Sequence, residues 1–255
     1  TTTGGAANVL GKLEDYLQTE WPELDVYLTS VTDHFATASI CGPNSKKILN
    51  KLIPELDLSD ENFPHMSFKE TSIGKIKCRV MRISFTGEHS YEINVQANYG
   101  ESLWEQCMEA GKEFNITPYG TETMHLLRAE KGFIIVGQDT DGTMTPIDLQ
   151  MDWIVSKKKY DFIGKRSLYR SDTIREDRKQ LVGLITENPK EVLEEGAQIV
   201  LDLNKKPVEM LGHVTSSYYS PNLKKSIALA VVRGGKKMMG HKLFIPMADR
   251  TINVT

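Results

Sequence analysis

Hydrophobic positions recur every three or four residues from Ala6 through Val9, Leu10, Leu13 and Leu17, which predicts an amphipathic helix over 6–19. Trp21-Pro22 ends it, because proline disfavours helical geometry in the residue before it. Runs rich in β-branched and small residues then predict strands over 24–30 and 35–41. A turn at Gly42-Pro43-Asn44-Ser45 leads into a short helix carrying Ile48, Leu49 and Leu52, closed before Pro54. Residues 73–85 read as strands around a Gly74-Lys75 turn, and Thr86-Gly87-Glu88 breaks the pattern. Between Tyr91 and Gln96 the alternation is clean: Tyr91, Ile93 and Val95 on one face, Glu92, Asn94 and Gln96 on the other. Helices are expected over 101–110, ending at Gly111, and over 121–130, ending at Gly132.

The stretch 165–180 is charged and poor in apolar residues, and reads as a helix-containing connector. Beyond it the period changes to two. Short strands over 181–185, 198–203, 210–215, 226–232 and 242–246, separated by glycine, proline or asparagine, predict a β-barrel or sandwich as a separate C-terminal domain. The fold class is therefore α+β followed by all-β.

Composition changes this picture little. A chain of 255 residues with 40% hydrophobic and 25% charged residues can bury a stable core without metals or staples. A net charge of −3 gives no general attraction to polyanions, so nucleic acid and anionic membranes are not expected partners. There is neither a membrane-length apolar run nor a secretion-signal pattern. Cys41, Cys78 and Cys107 suit reduced, mostly buried thiols, and the cytoplasm is the expected compartment. The opening Thr1-Thr2-Thr3-Gly4-Gly5 reads as the start of a piece of something longer.

Several chemistries leave no trace. No Gly-x-Gly-x-x-Gly, phosphate loop or nucleophile elbow occurs, and no two histidines or cysteines sit at metal-ligand spacing. What remains is chemistry on a bound organic partner, or none. Glu92, first on the polar side of its strand, could accept paired hydrogen bonds from an amino-pyrimidine edge. On pattern alone the plainer account is the solvated face of an edge strand. Arg128, at a helix end, could face a ligand oxygen with its rigid fork, or make a surface ion pair with Glu130 or Glu122. Gly137-Gln138-Asp139-Thr140-Asp141-Gly142 lacks the spacing of a calcium loop and reads as a polar turn. Trp153 and Tyr91 could stack on a flat ligand, although strand aromatics more often belong to a core. His213 and the Lys236-Lys237 pair read as surface features.

These segments occur together and in order. Thr86-Gly87-Glu88 to Tyr91-Glu92, Leu127-Arg128-x-Glu130-x-Gly132, Gly137-Gln138-Asp139, Thr145-Pro146-x-Asp148, Phe162-Ile163-Gly164-Lys165 and Gly212-His213-Val214-Thr215-Ser216 resemble the glycine-cleavage T-protein family of folate-dependent aminomethyltransferases. Within it, Gln18-Thr19-Glu20-Trp21-Pro22 and Arg128-Ala129-Glu130-Lys131-Gly132-Phe133-Ile134 are similar to the C-terminal region of the large (alpha) subunit of heterotetrameric sarcosine oxidases, whereas a T-protein would usually carry alanine at Lys131.

The resemblance implies mixed α/β domains around a central folate cavity, followed by a small β-barrel. Residues 1–44 would be the remainder of an N-terminal α/β domain, 45–168 the α+β folate-binding domain and 169–255 the barrel. It implies transfer of the one-carbon unit of oxidised sarcosine to tetrahydrofolate, giving 5,10-methylene-tetrahydrofolate. Glu92 would grip the pteridine ring, Phe85 and Phe133 would line the pocket, and Tyr91, Arg128, Thr3 and Trp153 complete the expected folate-binding set. Arg128 matches the second arginine of the family's helix motif, and Met124 replaces the first. The family's catalytic aspartate falls upstream of Thr1, so no catalytic residue is assigned. Tetrahydrofolate is the expected cofactor. FAD or FMN and NAD would enter only through a preceding N-terminal part or partner subunits, and folate and other sarcosine oxidase subunits are the expected partners. The rival readings are a stand-alone aminomethyltransferase or demethylase, and a structural or interaction module with a vestigial cavity.

Overall fold

The alternation at 90–96 becomes a strand that two others flank. A computed structural model describes residues 2–255, and these fall into two compact units: the first runs to Ser84 and resumes over Glu88–Pro118, the second comprises Phe85–Gly87 and Tyr119–Thr255.

The first unit is built on an antiparallel sheet of β1 (Phe35–Cys41), β2 (Phe68–Ile73), β3 (Ile76–Met81) and β4 (Ser90–Gln96), in the order β1-β4-β3-β2. Helices α2 (Ser45–Leu52) and α3 (Gly100–Gly111) supply Ile48, Leu49, Leu103 and Cys107 to the core, where they meet Ile40, Val80, Tyr91, Ile93 and Val95 from the strands. Helix α1 (Ala6–Thr19) forms over the range its periodicity predicts and contains no buried residue.

Two expectations for this unit need correction. Residues 24–30 form no strand, and Leu24, Val26 and Tyr27 are exposed. Strand propensity expresses packing against a pleated neighbour, and β1 pairs with β4 rather than with this segment. Strand β4 is not an edge. It lies between β1 and β3, with Ser39 and Met81 on either side of Glu92.

In the second unit α4 (Thr121–Glu130) again matches its periodicity, with Glu122 in the first turn and Arg128 in the last, the arrangement the helix dipole favours. The expected connector helix shrinks to a 3-10 turn over Lys165–Tyr169. Its charged residues have no apolar stripe to dock, and Arg175 instead pairs locally with Asp172 and Asp177.

The C-terminal strands β5 (Lys179–Ile185), β6 (Gln198–Val200), β7 (Met210–Ser220), β8 (Lys225–Arg233), β9 (Leu243–Pro246) and β10 (Thr251–Val254) form a sheet of order β10-β9-β6-β7-β8-β5. Its ends meet. Thr186 bridges Val254, Ile185 and Thr255 exchange hydrogen bonds of 2.9 and 3.0 Å, and Glu187 N–H donates to Asn253 O at 3.0 Å. Closure makes this a barrel rather than a sandwich, and it removes both sheet edges. Ile199, Val214, Ala230, Val232, Ile245, Ile252 and Val254 fill the interior. Strand β10 went unpredicted because four residues at a chain end carry little periodicity.

Among the described residues no helix is long and apolar enough to cross a membrane. Gly212 pairs with Val232 across β7 and β8, and a Cβ there would overlap the Val231 carbonyl. Gly212→Ala should therefore destabilise the barrel by about 3 kcal/mol or more, since backbone cannot give way as a side chain can. Denaturant unfolding, with the midpoint compared between the two proteins, checks this.

Candidate functional site

Directly paired residues in a sheet point to the same face, so Thr37, Ser39, Arg79, Met81, Glu92 and Asn94 share the face opposite the helices. Within this strip Thr37 Oγ1 donates to Asn94 Oδ1 at 3.2 Å, and the Ser39 and Ser90 hydroxyls lie 3.3 Å apart. Arg79 turns aside to Glu70 at 2.9 Å and lies over the Phe68 ring. Glu92 is half-buried. Among the described residues its carboxylate has neither a hydrogen-bond nor an ion-pair partner, and burial alone pushes its pKa above the ordinary 4.5. An acceptor pair is thus held on a central strand and spent on nothing among the described residues.

Tyr91, its neighbour in sequence, faces the other way and is fully buried in the core. Its hydroxyl lies 2.9 Å from His89 Nε2, and its ring stands against Phe63. Burial raises the Tyr91 pKa and, aided by Arg82, lowers that of His89, so the two share a hydrogen bond between neutral groups. Tyr91 presents no face to a ligand, which corrects the stacking expectation.

Arg128 also departs from both of its expected roles, because it is wholly buried. Its Nη1 pairs with Asp139 and donates to Phe133 O at 3.0 Å, while Nη2 donates to Ser216 Oγ at 2.8 Å and to the Tyr218 hydroxyl at 3.3 Å. Asp139 in turn accepts from Ile135 N–H at 2.8 Å, from Thr215 Oγ1 at 2.6 Å and from Ser216 Oγ. Adjacent strand residues normally point to opposite faces. The register shift in β7 between Val214 and Ser216 lets both hydroxyls reach the same carboxylate. The supposed polar turn at Gln138-Asp139 is therefore the hub of a buried network. A second pair resembles it: Asp148 accepts from Thr145 N–H at 2.9 Å and from Arg178 Nε and Nη2 at 2.9–3.1 Å.

The remaining expected site residues are exposed. Phe85 and Phe133 are 44% and 47% accessible, and the turn at Gly87 (φ 78°) leaves no room for a Cβ beside the Phe133 ring and Lys131 stem. Trp153 stands in a 3-10 turn and is 74% accessible, and Thr3 is exposed in a 3-10 turn of the first unit.

The sequence matches the GCVT N-terminal domain over residues 1–159 and the glycine cleavage T-protein C-terminal barrel domain over residues 179–255. The chain belongs to the glycine cleavage T-protein family. It is 51% identical over its whole length to sarcosine oxidase subunit alpha of Corynebacterium sp. (strain P-1), covering 27% of that protein. It is 42% identical over 96% of its length to the subunit of the same name from Rhizobium meliloti, covering 25% of it. The chain thus spans about a quarter of these subunits. An aminomethyltransferase of Thermoanaerobacter sp. (strain X514) is 31% identical over 89% of the chain and is itself 60% covered. The crystal structure of glycine cleavage system aminomethyltransferase T from Bartonella henselae superimposes with a TM-score of 0.80 at 20% identity, over 99% of this chain and 65% of that one. The T-protein fold, with its C-terminal barrel, is therefore the fold of this chain.

What sequence reasoning missed in this T-protein chain is the inward use of its charged motifs. Arg128 and Asp139 are separated by eleven residues and meet only after the chain has turned back at Gly132. Arg128→Leu or Asp139→Leu should each lower stability by about 3–5 kcal/mol, because each strands a buried charge, while the double replacement should cost less than the sum. A double-mutant cycle on unfolding free energies measures this, and strict additivity would contradict it.

Proposed function

We propose that this chain binds a reduced folate, with Glu92 as the anchor of the pteridine ring, and forms the one-carbon-transfer part of a sarcosine-oxidising assembly. The observation that carries the reading is the unpaired, half-buried Glu92 carboxylate on a central strand. Desolvating a carboxylate without a partner is unfavourable, and a native protein keeps such a group where a ligand completes it. Two acceptor oxygens on one rigid carboxylate fit the adjacent amino and ring N–H donors of an aminopyrimidine. The identity to sarcosine oxidase subunit alpha supports the assembly, and the aminomethyltransferase relative supports one-carbon transfer.

When bound, tetrahydrofolate supplies the nitrogen that takes up the one-carbon unit. The protein's part is to hold and shield. Glu92 fixes the ring through its two acceptor oxygens. Tyr91 contributes through the core alone. FAD or FMN and NAD would belong to other parts of such an assembly, together with its further subunits, and the compartment proposed is the cytoplasm.

Binding through an ionised Glu92 has a pH signature. Its folded-state pKa is raised, so folate affinity should be full at neutral pH and fall as the pH drops through a midpoint above 4.5. The same shift makes ionisation destabilising in the free protein above that midpoint, and the cost vanishes below the unfolded value. Glu92→Gln should accordingly be at least as stable as the parent at pH 7, with the difference narrowing on acidification. The variant should bind tetrahydrofolate about 10- to 100-fold more weakly, the worth of a charge-assisted paired contact. Calorimetric titration with tetrahydrofolate, alongside thermal unfolding, tests both. Equal affinity in the two proteins would remove Glu92 from the site, and no binding by the parent would favour a structural module.

A further inference from the structure

A second group on the polar face of β4 is also unspent. Asn94, two residues beyond Glu92 on the same face, has a side-chain nitrogen that is buried and has no partner among the described residues. Thr37, directly opposite on β1, donates to the amide oxygen at 3.2 Å and so aims the nitrogen away from itself. Turning the amide over would let its nitrogen donate to Thr37 and strand the oxygen instead, so one polar atom of Asn94 lacks a partner in either orientation. Arg79, the neighbour on β3, is engaged with Glu70 and the Phe68 ring and makes no hydrogen bond to this amide. Buried amide groups without partners are uncommon in native proteins, and this one carries a desolvation penalty with no return inside the fold.

We propose that Asn94 is a specificity-determining ligand contact, which reads the carbonyl oxygen next to the donor edge that Glu92 holds. Alternate residues of a strand are about 6.6 Å apart along one face. Across that span Glu92 presents two acceptors and Asn94 presents N–H donors. The complementary ligand is a flat heterocycle carrying an amino group and a ring N–H on one side and a carbonyl oxygen on the other, as the 2-amino-4-oxo edge of a pterin does. The inference rests on Glu92 as the ring anchor and adds how the ring's oxygen is distinguished from a nitrogen substituent. Thr37 is a positioning residue here, since it touches the amide and not the ligand.

The test uses the 255-residue chain and a matched pair of probes, tetrahydrofolate and its 4-amino-4-deoxy counterpart, titrated calorimetrically at pH 7.5. Asn94→Ala should weaken tetrahydrofolate about tenfold, the scale of one buried hydrogen bond, with the thermal midpoint unmoved. Asn94→Asp keeps the shape and an acceptor for Thr37 but turns the remaining donor into an acceptor. It should weaken tetrahydrofolate more than the alanine variant does, and shift the ratio of the two affinities toward the 4-amino compound by about tenfold or more. Glu92→Gln should weaken both probes, because both carry the 2-amino group, although only tetrahydrofolate also offers an N3–H to the carboxylate. If the parent binds tetrahydrofolate and Asn94→Ala binds it equally well, the inference fails while the folate reading stands. Equal losses of both probes in Asn94→Asp would also overturn it. If the parent binds neither probe, the folate reading fails and takes the inference with it.

Discussion

The second unit depends on one buried ion pair. Arg128 and Asp139 are both removed from water, and such a pair is tolerated only when further hydrogen bonds satisfy the charges. Those bonds come from three separate pieces of chain: the end of α4, the loop through Phe133 and Ile135, and strand β7 of the barrel at Thr215, Ser216 and Tyr218. Glu130 repeats the connection two residues on, accepting from Ser220 at 2.5 Å and from Asn222 at the β7–β8 turn. The consequence is architectural. The two family domains matched by the sequence end at 159 and begin at 179, yet the compact unit begins at Tyr119, because α4 is fastened to the barrel more firmly than sequence similarity alone would suggest.

In the first unit the governing constraint is the alternation of β4. Tyr91, Ile93 and Val95 have to enter the core, and the period of two then places Glu92 and Asn94 on the opposite face, whatever their chemistry. A one-residue slip would drive the carboxylate into the core and Tyr91 out of it, so the register that secures the fold also secures the candidate site. Ligand-binding groups held this way need little ordering when a ligand arrives, which favours affinity.

Much of this was legible in the sequence, and the failures share a cause. Helices α1 and α4 announce themselves because their periodicity is local. The strand expected at 24–30 fails because strand formation depends on a partner elsewhere in the chain. Glu92 was picked out by alternation and by family resemblance, but whether its strand was an edge or central is a fact of register that only three-dimensional pairing supplies. Arg128 illustrates the reverse problem. Its position at a helix end suggests solvent, and only the returning loop and the bulged β7 show where its charge goes.

The family motifs of this chain divide by what its carboxylates do at home. Residues 131–178 contain no α-helix or strand, so many backbone amides there have no ladder to join. Asp139 takes Ile135 N–H, Asp148 takes Thr145 N–H, Asp141 takes Thr143 N–H and Asp161 takes Phe162 N–H. Acidic residues recur in this stretch because carboxylates cap backbone that has no regular structure, and the Asp148–Arg178 pair clasps the far end as Arg128–Asp139 clasps the near one. The Gly-Gln-Asp and Thr-Pro-x-Asp motifs are therefore structural, with their acceptors filled from within. Glu92 shares their charge and lacks their partners. Set beside carboxylates that the fold saturates, Glu92 has no partner among the described residues, and that contrast is what the folate proposal rests on.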